Sequence, residues 1–281
     1  MSSNRPGTYS EDMSKRMGDL WASGLGLLRH EPTEMRLRAI SGGRELVNTT
    51  RAVLVWEPRR VVASYAVPVA ELGAELTVSS VEPVPAPEGI LHPGHPFLAH
   101  SCPGQVVDVD GLAGAGFRPD DPELAEYVVL DFKALDEWYE EDERLVSHPR
   151  DPYHRVVVRA SSRSVRVERD GVLLAESSRP SLVFETTLPT RFYLPREDVV
   201  AELLPSERHT ACAYKGHATY YSVEGAPNLF WSYLEPQKEV RELAGLVSFF
   251  DDDVDVYVDG ELRDRPSGPH AESVRQEFSV S

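Results

Sequence analysis

The chain has 281 residues, 41% of them hydrophobic, and a formal net charge of -17. That length allows one large domain or two of ordinary size, two being the better expectation. The charge argues against a general affinity for nucleic acid, because neutralising phosphates needs a basic stripe that outcompetes neighbouring acids. Two cysteines exclude both a disulfide framework and a four-cysteine zinc site, and they point to a reducing cytoplasm. No apolar run reaches 18 residues and the N-terminus has no apolar leader core, so neither membrane spanning nor export is expected.

Met13, Met17, Leu20, Trp21 and Leu28 recur at helical spacing and predict an amphipathic helix within an N-terminal extension over 1–32, docked on the unit that follows. Residues 33–147 read as a first β module. Its proline-rich stretch VSSVEPVPAPEGILHPGHP (78–96) is expected to be an inserted loop. The acidic runs DEWYEEDE (136–143) and DDDVD (251–255) read as solvated surface. A calcium loop needs alternating acids, a central glycine and a terminal glutamate, which neither run has.

HPRDPY (148–153) lies in a polar linker, 148–154, leading to a second module over 155–265. There VRVER and VLLAE flank Asp170-Gly171, suited to a type I′ hairpin whose two central residues need positive φ. SLVFE, RFYL, ATYYSV, LFWSY, LVSFF and VDVYVDG add short strands rich in β-branched and aromatic residues. Pro195, Arg196, Glu197 and Asp198 followed by VVAELL predict one short helix, with VAEL (69–72) as a fainter counterpart. A disordered tail is expected over 266–281. The fold class is mainly β with few short helices.

An ungapped overlay of 37–65 on 165–193 organises the whole chain. It matches Arg38 with Arg166, Gly43 with Gly171, Leu46 with Leu174, Arg51 with Arg179, Leu54 with Leu182, Val55 with Val183, Glu57 with Glu185 and Tyr65 with Tyr193. Chance gives about two identities over such a length. Further on, Cys102 falls opposite Cys212. The expectation is a duplication giving two similar compact modules, not a solenoid, whose periods are shorter.

The second half, with SSRPSLVFE, RFYLPREDV, CAYKGHATYYSV, FWSY and VDVYVDG, resembles the family catalogued as domain of unknown function 427 over residues 155–262. The first half resembles a diverged second copy, as in tandem members common in actinobacteria. The resemblance implies a compact β-tent-like fold, grouped with folds that elsewhere hold zinc on two CxxC pairs. No CxxC occurs here, so the zinc is not carried over, and no cofactor is expected. The family pattern has proline after the cysteine where this chain has Ala213, and Cys102-Pro103-Gly104 in the first half lacks the tyrosine and lysine that follow Cys212. A nucleotidyltransferase-like activity is the remote alternative. Its magnesium-binding carboxylates and glycine-rich phosphate loop stand at no recognisable spacing.

The candidate catalytic residues are Cys212, Lys215 and Tyr214. A cysteine nucleophile needs a nearby cation or base, which Lys215, His209 or His217 would supply; otherwise Cys212 is a small buried hydrophobe. Strand alternation sets Cys212 and Lys215 on opposite faces unless Gly216 turns the chain. Lys215 is a solvated turn lysine or, in a walled pocket, the partner of an acidic ligand or a Schiff-base amine. The candidate ligand-binding residues are Arg179, Glu185, Tyr193, Trp231 and Tyr233. Arg179 is either an anion fork or a clamp on a carboxylate such as Glu185. The aromatics, with Tyr220 and Tyr221, are core and rim or the wall of a pocket. His148, Arg150 and Asp151 read as linker, while His92, His95 and His100 lack the further ligands a metal set needs.

The expected function is a small-molecule pocket in the second module, with an anionic ligand as the expected occupant. Catalysis there is open. The alternative is a non-catalytic module that binds a protein partner or serves structure. Oligomeric state is not read from the sequence.

Overall fold

A computed structural model describes residues 14–267; Met13 and nearly all of the expected tail lie outside the described residues. The first half builds a seven-stranded antiparallel sheet in the order Arg29–Pro32, Val53–Trp56, Ser64–Pro68, Tyr127–Leu130, Leu112–Pro119, Gly104–Val109, Leu76–Val78. Beside it stands a four-stranded sheet ordered Glu143–Arg144, Glu137–Glu140, Leu37–Ser41, Arg44–Thr49.

In the second half Val156–Ala160, Ser181–Glu185 and Arg191–Tyr193 form one sheet. An antiparallel bridge from Leu194 to Val247 leads into another, ordered Val247–Phe249, Ala226–Pro236, Gly216–Val223, Leu204–Cys212. The remaining sheet runs Glu261–Leu262, Asp255–Val258, Val165–Arg169, Val172–Ser177. Strand for strand, the order in the two halves corresponds.

Period-two alternation explains why the central strands read as continuous apolar runs. In VLVW, Leu54 and Trp56 pack into one core while Val53 and Val55 pack into the other. In SLVFE, Leu182 joins a core with Phe192 and Phe230, and Val183 joins a second with Tyr193, Tyr220, Trp231 and Tyr233. The expected I′ hairpin is present, with Asp170 at φ 51° and Gly171 at φ 78°.

The helices differ from expectation. Met17–Gly24 is helical but buries none of its residues, and among the described residues of the apolar set read as its docking face Leu28 alone packs against a core. Residues Arg29–Pro32, placed in the helical extension by the sequence, are a strand paired with Val53–Trp56. The helix expected after Pro195 stops at Arg196–Asp198, a 3-10 turn. Val199 then turns extended and bridges Ala175, and the amides of Val200 and Ala201 donate to the Leu174 carbonyl. Tertiary hydrogen bonds there override a modest helical preference. VAEL is likewise a 3-10 turn, Val69–Glu71. Among the described residues no helix is long and apolar enough to cross a membrane.

Candidate functional site

A cavity of about 240 Å³ opens into the aromatic core of the second half. Alternation aims its wall: Arg191 and Tyr193 line it while Phe192 between them faces the other core, and Trp231 and Tyr233 line it from the neighbouring sheet. Thr210 and Cys212 come from the end of Leu204–Cys212. Tyr193, Trp231 and Tyr233 are all buried and serve as core and pocket wall at once.

The chain does turn at Gly216, where a φ of +99° and the 3.3 Å that would separate an added Cβ from the Glu235 carbonyl favour glycine. The short turn through Ala213, Tyr214 and Lys215 therefore swings the lysine back to the side of the cavity that holds Cys212. Lys215 is buried, not a solvated turn lysine, and its Nζ donates to both Glu185 oxygens at 2.6 Å. Burial alone would raise the Glu185 carboxyl, but the Lys215 charge and the contacts with His154 and Lys215 hold it down at about 2. Burial works against the Lys215 ammonium, yet its interactions with Cys212, Glu185 and Tyr193 hold it above the usual lysine range, and at neutral pH its countercharge is Glu185. The pair is therefore ionised at neutral pH.

The linker is part of this site. His148, Asp151 and His154 line the cavity, which sequence reading assigned to a connecting segment. Tyr214 pins them: its hydroxyl accepts from the Asp151 amide at 2.7 Å and its ring lies 4.4 Å from that of His154. Arg150 adds a bond to the Ala213 carbonyl at 2.9 Å. Burial raises Tyr214 well above the usual phenol range and pushes Tyr193 up to about 12, so both carry their protons at neutral pH. His154 Nε2 lies 3.6 Å from Glu185, so His154, Glu185 and Lys215 form a row on the wall that Cys212 also lines.

Arg179 stands apart, away from the cavity wall. Its Nη2 bonds Glu197 at 2.8 Å and Asp198 at 3.2 Å, while the Ser177 hydroxyl bonds Asp198. Arg51, Thr49 and Glu71 make the corresponding cluster in the first half. Arg179 is thus a carboxylate clamp, but on these two acids and not on Glu185. Among the described residues Arg191 is the arginine that lines the cavity, and nothing local in RFYL distinguishes it. Its partner Asp251 comes from DDDVD and is buried, which corrects the reading of that run as solvated surface at this first acid, while Asp253 is exposed: a carboxylate flanked by two arginines can leave water.

In the first half the matching glutamate is enclosed differently. Glu57 Oε1 lies 2.9 Å from His100 Nδ1, and Oε2 accepts from the Ser101 amide at 2.7 Å. Arg60 sits 3.6 Å from Glu57 and donates to the carbonyls of Pro96, Phe97 and Ala99. His100 stacks on Phe117 at 3.6 Å. Burial, followed by the Glu57 charge, pushes the Cys102 thiol up to about 12. The space beside Glu57 is thus filled by residues of its own chain. The proline-rich insert also sends His92 and Pro93 to the wall of the second half's cavity.

No curated protein matches this chain. Residues 157–260, which hold Glu185, Arg191, Tyr193, Cys212, Lys215 and Trp231 but not the linker or the insert, match the family described as Domain of unknown function (DUF427).

Proposed function

We propose that the protein binds a small molecule in the second-half cavity and that Cys212 is the reactive group of that site, as a nucleophile beside Lys215. The observation that carries this reading is the turn at Gly216, which sets a buried, ionised Lys215–Glu185 pair next to Cys212 on an aromatic-walled cavity. A thiolate needs a neighbouring cation, and an apolar wall with a few convergent polar groups is what a small-molecule site requires. A cytoplasmic setting suits the two free thiols. Two tandem copies of one tent-like β unit, the first diverged, account for the corresponding strand orders and the repeated glutamate and cysteine.

A binding module without catalysis is the second reading, favoured by the bidentate Lys215–Glu185 bridge, which leaves the lysine little freedom to act. Iodoacetamide separates the two, with Cys102 as an internal control whose thiol is raised. At neutral pH Cys212 should alkylate faster than Cys102 and faster than free cysteine, and Lys215→Met should remove the advantage over free cysteine. Labelling of Cys212 no faster than that of Cys102 overturns the nucleophile and leaves binding, which native mass spectrometry of the purified protein tests directly.

A further inference from the structure

The cations of the cavity are not equally occupied. Lys215 is matched one to one by Glu185, with both carboxylate oxygens engaged. Asp151, the other carboxylate among the described lining residues, is half-buried, bonded by the Tyr153 amide, and sits in the fields of His154 and Arg29. Arg191 is different: it shares the buried Asp251 with Arg263. Arg191 Nη1 bonds Asp251 Oδ1, and Arg263 Nη1 lies 3.6 Å from Oδ2 while donating to the Thr190 carbonyl at 3.2 Å. Among the described residues, the two guanidiniums that meet on Asp251 carry one positive charge more than that carboxylate offsets. Arg263 is turned toward Phe192, whereas Arg191 lines the cavity, 5.9 Å from the centre of the Trp231 ring. A partly buried surplus cation is costly, so an anion entering there gains both the charge pairing and the guanidinium's planar donors.

We propose that Arg191 is the anion-recognising residue of this cavity and that its ligand is a small monocarboxylic acid with a flat apolar body. The single surplus charge fits a carboxylate better than a phosphate ester, which carries about -1.5 to -2 at neutral pH. The flat body lies against the wall formed by Trp231, Phe250 and Tyr193, in which Trp231 and Phe250 pack on each other with ring centres 4.7 Å apart. This rests on the cavity of the proposed function, but it does not need Cys212 to be a nucleophile. Anion binding moves from Arg179 and Lys215, where the sequence put it, to a residue that sequence reading passed over.

Iodoacetate and iodoacetamide differ in charge but deliver similar groups to a thiol, so their rate ratio at Cys212 in the intact protein reads the anion site. With free cysteine, repulsion between thiolate and carboxylate keeps the ratio below that of a cationic pocket. At Cys212 it should exceed the free-cysteine ratio by about tenfold, the scale of one charge-assisted contact. Arg191→Gln should return it to the free-cysteine value and Arg191→Lys should keep most of it. A Cys212 slow toward both reagents but with a high ratio removes the nucleophile and keeps the anion site. A ratio no higher than that of free cysteine, or one unchanged in Arg191→Gln, overturns the proposal. If Arg191→Gln does not fold, wild-type protein decides: benzoate should shield Cys212 from iodoacetamide and benzamide should not, and equal shielding overturns it.

Discussion

Lys215 and Glu185 fix each other's state, and the pH dependence of stability follows from their directions. Glu185 is held at about 2 against an ordinary value of 4.5, so the unfolded chain takes up a proton that the folded chain refuses. Its stabilisation is full above pH 4.5 and is lost as pH falls toward 2. Lys215 is raised above its ordinary 10.5, so its stabilisation is full below that value and is lost only as pH rises beyond it. Between these limits the pair contributes a flat plateau. Glu185→Gln strands a buried ammonium and should cost about 3–5 kcal/mol at pH 7, read by urea unfolding. The same variant should show a shallower loss of stability between pH 4.5 and 2 than wild type, and an unchanged acid limb would remove Glu185 as its source.

At the scale of elements, two glycines test which backbone positions the fold depends on. Gly171 has φ +78° and open space where a Cβ would stand, so Gly171→Ala loses only what the left-handed conformation costs, about 1 kcal/mol. At Gly104 a Cβ would sit 2.5 Å from the Arg118 carbonyl, inside the pairing with Leu112–Pro119. Gly104→Ala should therefore cost more, about 3 kcal/mol, with the urea midpoint as the measure in both cases. Gly171 illustrates what was legible in the sequence: hairpins and alternation depend on neighbours two residues away, so strands such as SLVFE and ATYYSV could be read directly. The arrest of the helix after Asp198 could not, because its cause is the Leu174 carbonyl on a distant strand. The site divides the same way. Cys212, Tyr214 and Lys215 share one turn and Tyr193 and Trp231 alternate into one core, whereas Arg191 and Asp251 meet across 60 positions. The contribution of His148 and His154 depends on how the linker lies over Tyr214.

For the whole molecule, the consequence is that one half supplies a cavity and the other helps to close it. Arg60 ties the two tasks together. Its guanidinium holds the carbonyls of Pro96, Phe97 and Ala99, and the same segment presents His92 and Pro93 to the second-half cavity. Removing it should free the insert and widen that cavity without touching any of the second half's own lining residues. In Arg60→Ala, limited proteolysis between residues 79 and 100 should therefore quicken. At the same time the bulkier N-ethylmaleimide should gain on iodoacetamide in their rates at Cys212, because a retreating wall helps the larger reagent more. Faster cleavage with an unchanged reagent ratio would mean that His92 and Pro93 do not govern entry. Both changes together would tie access to the second half's cysteine to a buried arginine in the first half, more than 150 positions away along the chain.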